Sequence, residues 1–193
     1  MACRVHITGA SGSGTTTLGR ALGESLQCPA FDADDYYWLP TTPPFQQKRE
    51  KAERLSRLLP DLQAHPSWIL SGSIVSWGES VEHSIDRIIL LWIPPEIRLQ
   101  RLRQREIQRH GKVDEEFIAW AGRYDTGDLS VRSRALHKKW MATMRCPILR
   151  LEGDLSESER LSRSLEFVAR SDPAPRLANG ASEPSKTQKR PLR

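Results

Sequence analysis

Gly9, Gly12 and Gly14 punctuate the stretch "GASGSGTTT", which lies between an apolar run, "CRVHIT", and a segment of helical periodicity. Glycines let backbone N–H groups crowd around an anion, and the start of the following helix adds its positive end. Spacing and context match the phosphate-binding loop G-x-x-x-x-G-K-[ST] except at one place, where Thr15 stands in the lysine position. Gly9, Ala10, Ser11, Gly12, Ser13, Gly14, Thr15, Thr16 and Thr17 are therefore the expected cradle for nucleotide phosphates. Thr16 falls at the hydroxyl position that binds Mg²⁺, and Thr17 can support the first helical turn. A merely flexible Gly/Ser turn would leave the retained Thr16 unexplained. The missing lysine removes one point charge from the β- and γ-phosphates, so another cation must replace it or turnover must be slow.

Two further groups of residues can do chemistry. "AFDADDYYW" places Asp32, Asp34 and Asp35 at the end of a short apolar run, where open parallel sheets carry their ligand-binding loops. A carboxylate there can hold water on a metal or accept a proton from a hydroxyl. The bland alternative is that Asp34 and Asp35 belong to a helix start with solvated neighbours. Tyr36, Tyr37 and Trp38 can line an acceptor pocket or simply pack. Farther on, Arg98, Arg101, Arg105 and Arg109 are spaced to fall within about an 80° arc of one helix. Such a stripe is either a solvated face or a set of phosphate-binding forks. Arg123, Arg132 and Arg134 follow near Gly122 and Gly127.

The loop, the "FDADD" after it and the arginine-rich helix together resemble the small P-loop kinases, the nucleoside-monophosphate, shikimate and gluconate kinase group, across most of residues 3–153. Some archaeal adenylate and cytidylate kinases of that group carry Ser or Thr at the lysine position. The resemblance implies an enzyme that binds ATP with Mg²⁺ and transfers the γ-phosphate to a nucleoside monophosphate, a nucleoside or a small hydroxylated metabolite. It places Thr16 and Asp32 at the metal and Asp34 at the acceptor. Arg101, Arg105, Arg123 and Arg134 become the candidates for covering the transferring phosphate. In this group a strand ending in Asp-Gly supplies a further carboxylate, but "WILSGS" has Ser71 there while keeping Gly72, which shifts the metal role toward Asp32. Gly72, Ser73 and Trp77 are candidates for shaping the acceptor site, and the loop at Gly153 and Asp154 for lying near the base. Thr15 and Ser71 together favour a second reading, a regulatory nucleotide-binding protein with little turnover. A third is a protein of the kind described as DNA-topology modulators, working through a basic tail.

The elements that must position these residues are legible as an alternation. Strand-like runs occur at "CRVHIT", "CPAF", "SWILS", "RIILLWI" and "PILRLEG", with helix-length segments between them. The expected fold is α/β, a three-layer P-loop NTPase architecture in which a five-stranded parallel sheet is covered on both faces and a helical lid is added. The 193 residues hold one domain, taken as 1–170, and a basic tail, 171–193, whose Pro, Ser and charge content predicts disorder.

The hydrophobic fraction is 38%, and no apolar run nears the roughly 20 residues that span a bilayer, so no membrane partner is expected. Net charge is +5, of which the tail carries +3, five Lys/Arg against two Asp/Glu; the body does not point to nucleic acid. "MACRVHITG" lacks the features of a secretory signal, which predicts a cytoplasmic location. Cys3, Cys28 and Cys146 fit buried inert thiols, and none of the five histidines lies in a metal or nucleophile pattern. The expected partners are a nucleotide and a small acceptor, with monomer and homodimer both open.

Overall fold

The computed structural model describes residues 2–42, 44–127 and 132–170. The tail 171–193 lies outside the described residues. Five parallel strands, β1 (Arg4–Gly9), β2 (Ala30–Asp32), β3 (Trp68–Ser71), β4 (Arg87–Trp92) and β5 (Ile148–Glu152), form one sheet in the order β2-β3-β1-β4-β5. All four pairings are parallel. Each strand coincides with one of the five apolar runs.

Side-chain alternation along the strands builds a core on each face of the sheet. Val5, Ile7, Ile69, Ile89 and Leu91 pack with Leu18 and Leu22 of α1 (Thr15–Leu26), while α8 (Glu157–Ala169) adds Leu161 and Leu165. On the opposite face Leu70, Ile88 and Leu90 meet Leu58 and Leu62 of α3 (Lys51–Gln63) and Trp140 of α7 (Arg134–Met141). Short helices α2 (Ala33–Tyr37) and α4 (Glu79–Glu82) edge this second layer. Burial on both faces explains why "IILLWI", after Arg87, is apolar throughout rather than alternating.

The lid segment is α5 (Pro95–His110), α6 (Glu115–Gly122) and the 3-10 turn Arg123–Thr126. Pro95 opens α5 and Gly111 closes it with a φ of 70°. The Asp114 carboxylate caps α6 by accepting from Phe117 N, and the Ser133 hydroxyl caps α7 by accepting from Leu136 N. A small separate cluster of Leu102, Ile118 and Ala121 holds α5 to α6.

The bland readings of several residues hold. The Asp86 carboxylate accepts from Arg4 N (3.0 Å) beside the start of β4. His6 is fully buried in β1, with Nδ1 bonded to Leu70 O (2.9 Å). The three cysteines are free thiols, half-buried rather than fully enclosed. Burial pushes each thiol up, Cys146 to about 11, so thiolate is scarce at neutral pH.

Candidate active site

The glycine loop leaves β1 at Gly9 and enters α1 at Thr15, at the carboxyl edge of the central strand. Gly12 and Gly14 have φ of 81° and 88°, in the left-handed region where a side chain is strained. Gly9 is required for a different reason: a Cβ there would lie 2.5 Å from Leu91 O and 2.6 Å from Ser13 Oγ. Ser13 N donates back to Ala10 O (3.1 Å), which closes the loop on itself. Gly14 occupies the position before the helix, and no side chain caps the first N–H groups of α1.

The loop and the acidic segment meet directly. Thr16 Oγ1 donates to Asp32 Oδ2 (2.7 Å), and Asp32 Oδ1 accepts from Asp34 N (3.0 Å). Asp32 thus caps α2 and faces the loop with its other oxygen. Sheet register makes this contact: Asp32 is level with Ser71, which is level with Ile7 two residues before the loop. Gly72, φ 108°, packs against Ala33, where a Cβ would stand 2.9 Å from Ala33 Cβ. Ser71 lies inside the sheet layer and donates to Phe31 O (3.1 Å). It therefore offers no carboxylate and no exposed donor in place of the aspartate it replaces.

A third contact brings Arg132 across the opening. Its Nη1 donates to Ser11 Oγ (3.2 Å), and its Nη2 stands 3.5 Å from Asp34 Oδ1. Burial raises the Asp34 carboxyl above its ordinary value, and nearby Asp32 adds to this; Arg132 and then Arg105 pull in the opposite direction. The net result is a carboxylate more basic than one in water. The sequence places Arg132 near Gly122 and Gly127, while the resemblance points to Arg101, Arg105, Arg123 and Arg134 for covering the phosphate.

The arginine stripe divides. Arg98 is fully buried, with Nη1 donating to Ser11 O (3.2 Å) and Ala121 O (2.9 Å) and Nη2 to Asp125 Oδ2 (3.3 Å). Arg101 Nη2 donates to Asp154 Oδ1 (2.6 Å) in the loop after β5. Arg105 is half-buried close enough to Asp34 to feel its charge, and Arg109 is exposed. Arg123 is exposed at the start of the 3-10 turn. Arg134 lies over the Trp92 ring (4.7 Å) with Nη1 3.8 Å from Asp125 Oδ1. The structure therefore brings Thr16, Asp32, Asp34, Ser11, Arg132 and Arg105 together, while Arg101 and Arg134 engage partners at the margins.

One further residue at the loop carries no motif signal in the sequence. Arg160 of α8 is buried, its Nη1 donating to Ser13 O (3.2 Å) and its Nη2 to Leu155 O (2.6 Å). In "SERLSRSLEF" it reads as one more charged residue on a helix surface, and only the packing of α8 on α1 reveals its position.

Behind the site, His137 joins two segments: its Nε2 meets Ser73 Oγ (3.0 Å) and its Nδ1 meets Tyr124 OH (2.9 Å). Burial, aided by Arg132, lowers the imidazole to about 3, so it is neutral. Tyr37 stacks on Trp77 (6.3 Å), and Arg54 covers the Tyr37 ring (4.1 Å). The aromatic residues after "FDADD" thus form a packed wall beside the acidic segment.

Residues 5–119 match the model of a family described as AAA domain. A relative from Bacillus subtilis (strain 168), "Uncharacterized protein YqaC", is 44% identical over 175 residues, covering 86% of this chain and 97% of its own. Among solved structures, "Shikimate kinase from Acinetobacter baumannii in complex with shikimate" aligns with TM-score 0.54 at 16% identity, over 86% of this chain and 92% of that one. A gluconokinase from Sinorhizobium meliloti 1021 aligns with TM-score 0.51 at 13% identity, over 87% and 92%. At such identities these likenesses bear on fold, and the fold is the one the strand order above describes. With its glycine loop closing on Asp32, the chain belongs to the AAA domain family and has the fold of the small P-loop kinases.

Proposed function

We propose that the protein is an ATP-dependent phosphotransferase acting with Mg²⁺ on a small hydroxylated or nucleotide acceptor. The observation that carries this reading is the Thr16–Asp32 hydrogen bond at 2.7 Å, with Asp34 held two residues on and Arg132 spanning from Asp34 to the loop. A hydroxyl and a carboxylate at one point form a hard oxygen donor set suited to Mg²⁺. When bound, Mg²⁺ would supply charge neutralisation to the β- and γ-phosphates.

The chain's own residues would do the rest. The loop N–H groups bind phosphate oxygens, and Arg132 and Arg105 hold charge beside Asp34. An acceptor hydroxyl between Asp34 and the γ-phosphate attacks phosphorus in line. The new O–P bond forms as the bond to the β-phosphate oxygen breaks, ADP leaves, and the hydroxyl proton passes to Asp34. The raised basicity of Asp34 favours that last step.

A thermal-shift screen of ATP, GTP, ADP and monophosphates, with and without Mg²⁺, tests nucleotide binding. Ligand at a hundred times its Kd contributes about 2.7 kcal/mol of stability, and failure of every nucleotide to raise Tm would sink the proposal.

Thr15 and the inward-facing Ser71 support a second reading, a nucleotide-binding regulator with little turnover. Protein stabilised by Mg-ATP that phosphorylates no acceptor in a metabolite and nucleotide panel would favour it.

A further inference from the structure

Two buried guanidiniums from different helices hold the glycine loop by its carbonyls. Arg98, from α5, donates to Ser11 O, and Arg160, from α8, donates to Ser13 O. A trans peptide is planar, with its C=O and the following N–H pointing in opposite directions. A carbonyl drawn outward therefore turns the next N–H inward. The peptide between Ser11 and Gly12 is set this way by Arg98, and the peptide between Ser13 and Gly14 by Arg160. The N–H between them, on Ser13, is already committed to Ala10 O.

We propose that Arg98 and Arg160 are positioning residues that preorganise the Gly12 and Gly14 N–H groups toward a polyphosphate, compensating for the lysine absent at position 15. The inference rests on the nucleotide-binding reading above and assigns that site its orienting groups. The positive φ of Gly12 and Gly14 agrees with peptide planes that alternate in this way. Burial also matters: Arg98 is fully buried and Arg160 is 6% exposed, so neither fork is free to swing as a surface side chain would. A guanidinium has five N–H donors in a fixed plane and can hold a carbonyl in one direction, which a flexible ammonium does less well. Arg160 also stands close to the cradle itself, its Nη1 3.0 Å from where a Gly14 Cβ would lie. It thus adds positive charge at the loop's helix side as well as orientation.

The test uses the full chain labelled with ¹⁵N-glycine, inorganic tripolyphosphate with Mg²⁺ as the probe, and ATP and adenosine as comparators. In the wild type, tripolyphosphate is expected to shift the Gly12 and Gly14 amide signals. Arg160→Met should weaken tripolyphosphate and ATP about tenfold or more, leave adenosine within twofold, and reduce the Gly14 response while Gly12 still responds. Arg98→Met should weaken the same two ligands but reduce the Gly12 response while Gly14 still responds, and Arg160→Lys should recover only part of the loss. Adding Thr15→Lys to Arg160→Met should restore ATP affinity. If Arg98→Met fails to fold, the Arg160 variants decide. A folded Arg160→Met that binds tripolyphosphate as the wild type does, or that loses both glycine responses equally, overturns the inference. A wild type that binds neither ATP nor tripolyphosphate overturns the nucleotide reading itself.

Discussion

Asp32 works in two directions at once, taking a backbone N–H from Asp34 with one oxygen and the Thr16 hydroxyl with the other. An amide at that position keeps the cap acceptor but loses the charge. Asp32→Asn should therefore leave ATP binding without Mg²⁺ within about twofold and abolish most of the extra Tm shift that Mg²⁺ brings, as read by differential scanning fluorimetry. Equal Mg²⁺ increments in both proteins would remove Asp32 from the metal role. At this scale the sequence was informative wherever a residue's function depends on neighbours in the chain. The glycines, Thr16 and the D-x-D pair are of this kind. It was silent on Arg160 and misleading on the stripe, because helical spacing gives a common angle but not what lies opposite each turn. Arg98 meets a buried loop, Arg101 a carboxylate at the sheet edge and Arg109 water.

Among the elements, the junction of β1 with α1 tolerates the least change. Gly9 sits so close to β4 that a methyl group would overlap Leu91 O at 2.5 Å, a backbone atom that cannot swing aside, and Ser13 Oγ at 2.6 Å. Gly9→Ala should destabilise the fold by roughly 1–3 kcal/mol and weaken nucleotide binding together, as measured by urea unfolding and thermal shift. A stable, fully binding Gly9→Ala protein would mean that the loop is looser than its packing indicates. The five strands were legible because apolar runs bounded by turn residues are local features, and their parallel direction followed from the helices between them; the order β2-β3-β1-β4-β5 came only from the structure. The lid was less so. Its helices α5 and α6 share a cluster of only Leu102, Ile118 and Ala121 as buried members, so few apolar positions mark it in the sequence.

Considered as a whole, the molecule carries neutral imidazoles in its interior. Burial lowers His6 to about 4 and His137 to about 3, from an ordinary 6.5. In the unfolded chain both groups take up protons below about pH 6.5, while the folded chain resists until pH nears those lower values. The unfolded state thus binds more protons in this window, and stability falls as pH drops from 6.5 toward 4, by up to about 1.4 kcal/mol per pH unit for each imidazole. Chemical denaturation at pH 7.5, 6 and 5 should show this loss, and a His137→Gln variant should show a shallower one. A wild type whose stability does not change between pH 7.5 and 5 would contradict it.

The link from Arg160 to Ser13 crosses 147 positions of chain. The glycine loop is therefore synthesised well before the guanidinium that bonds its Ser13 carbonyl. Both strands that flank β1, β3 and β4, precede Arg160 in the chain. Any product of premature termination before residue 160 would carry the glycines, Thr16 and Asp32 and still present an incompletely set loop. Helix α8, which contributes no residue to the glycine motif, thereby makes the set of the loop depend on sequence far from it.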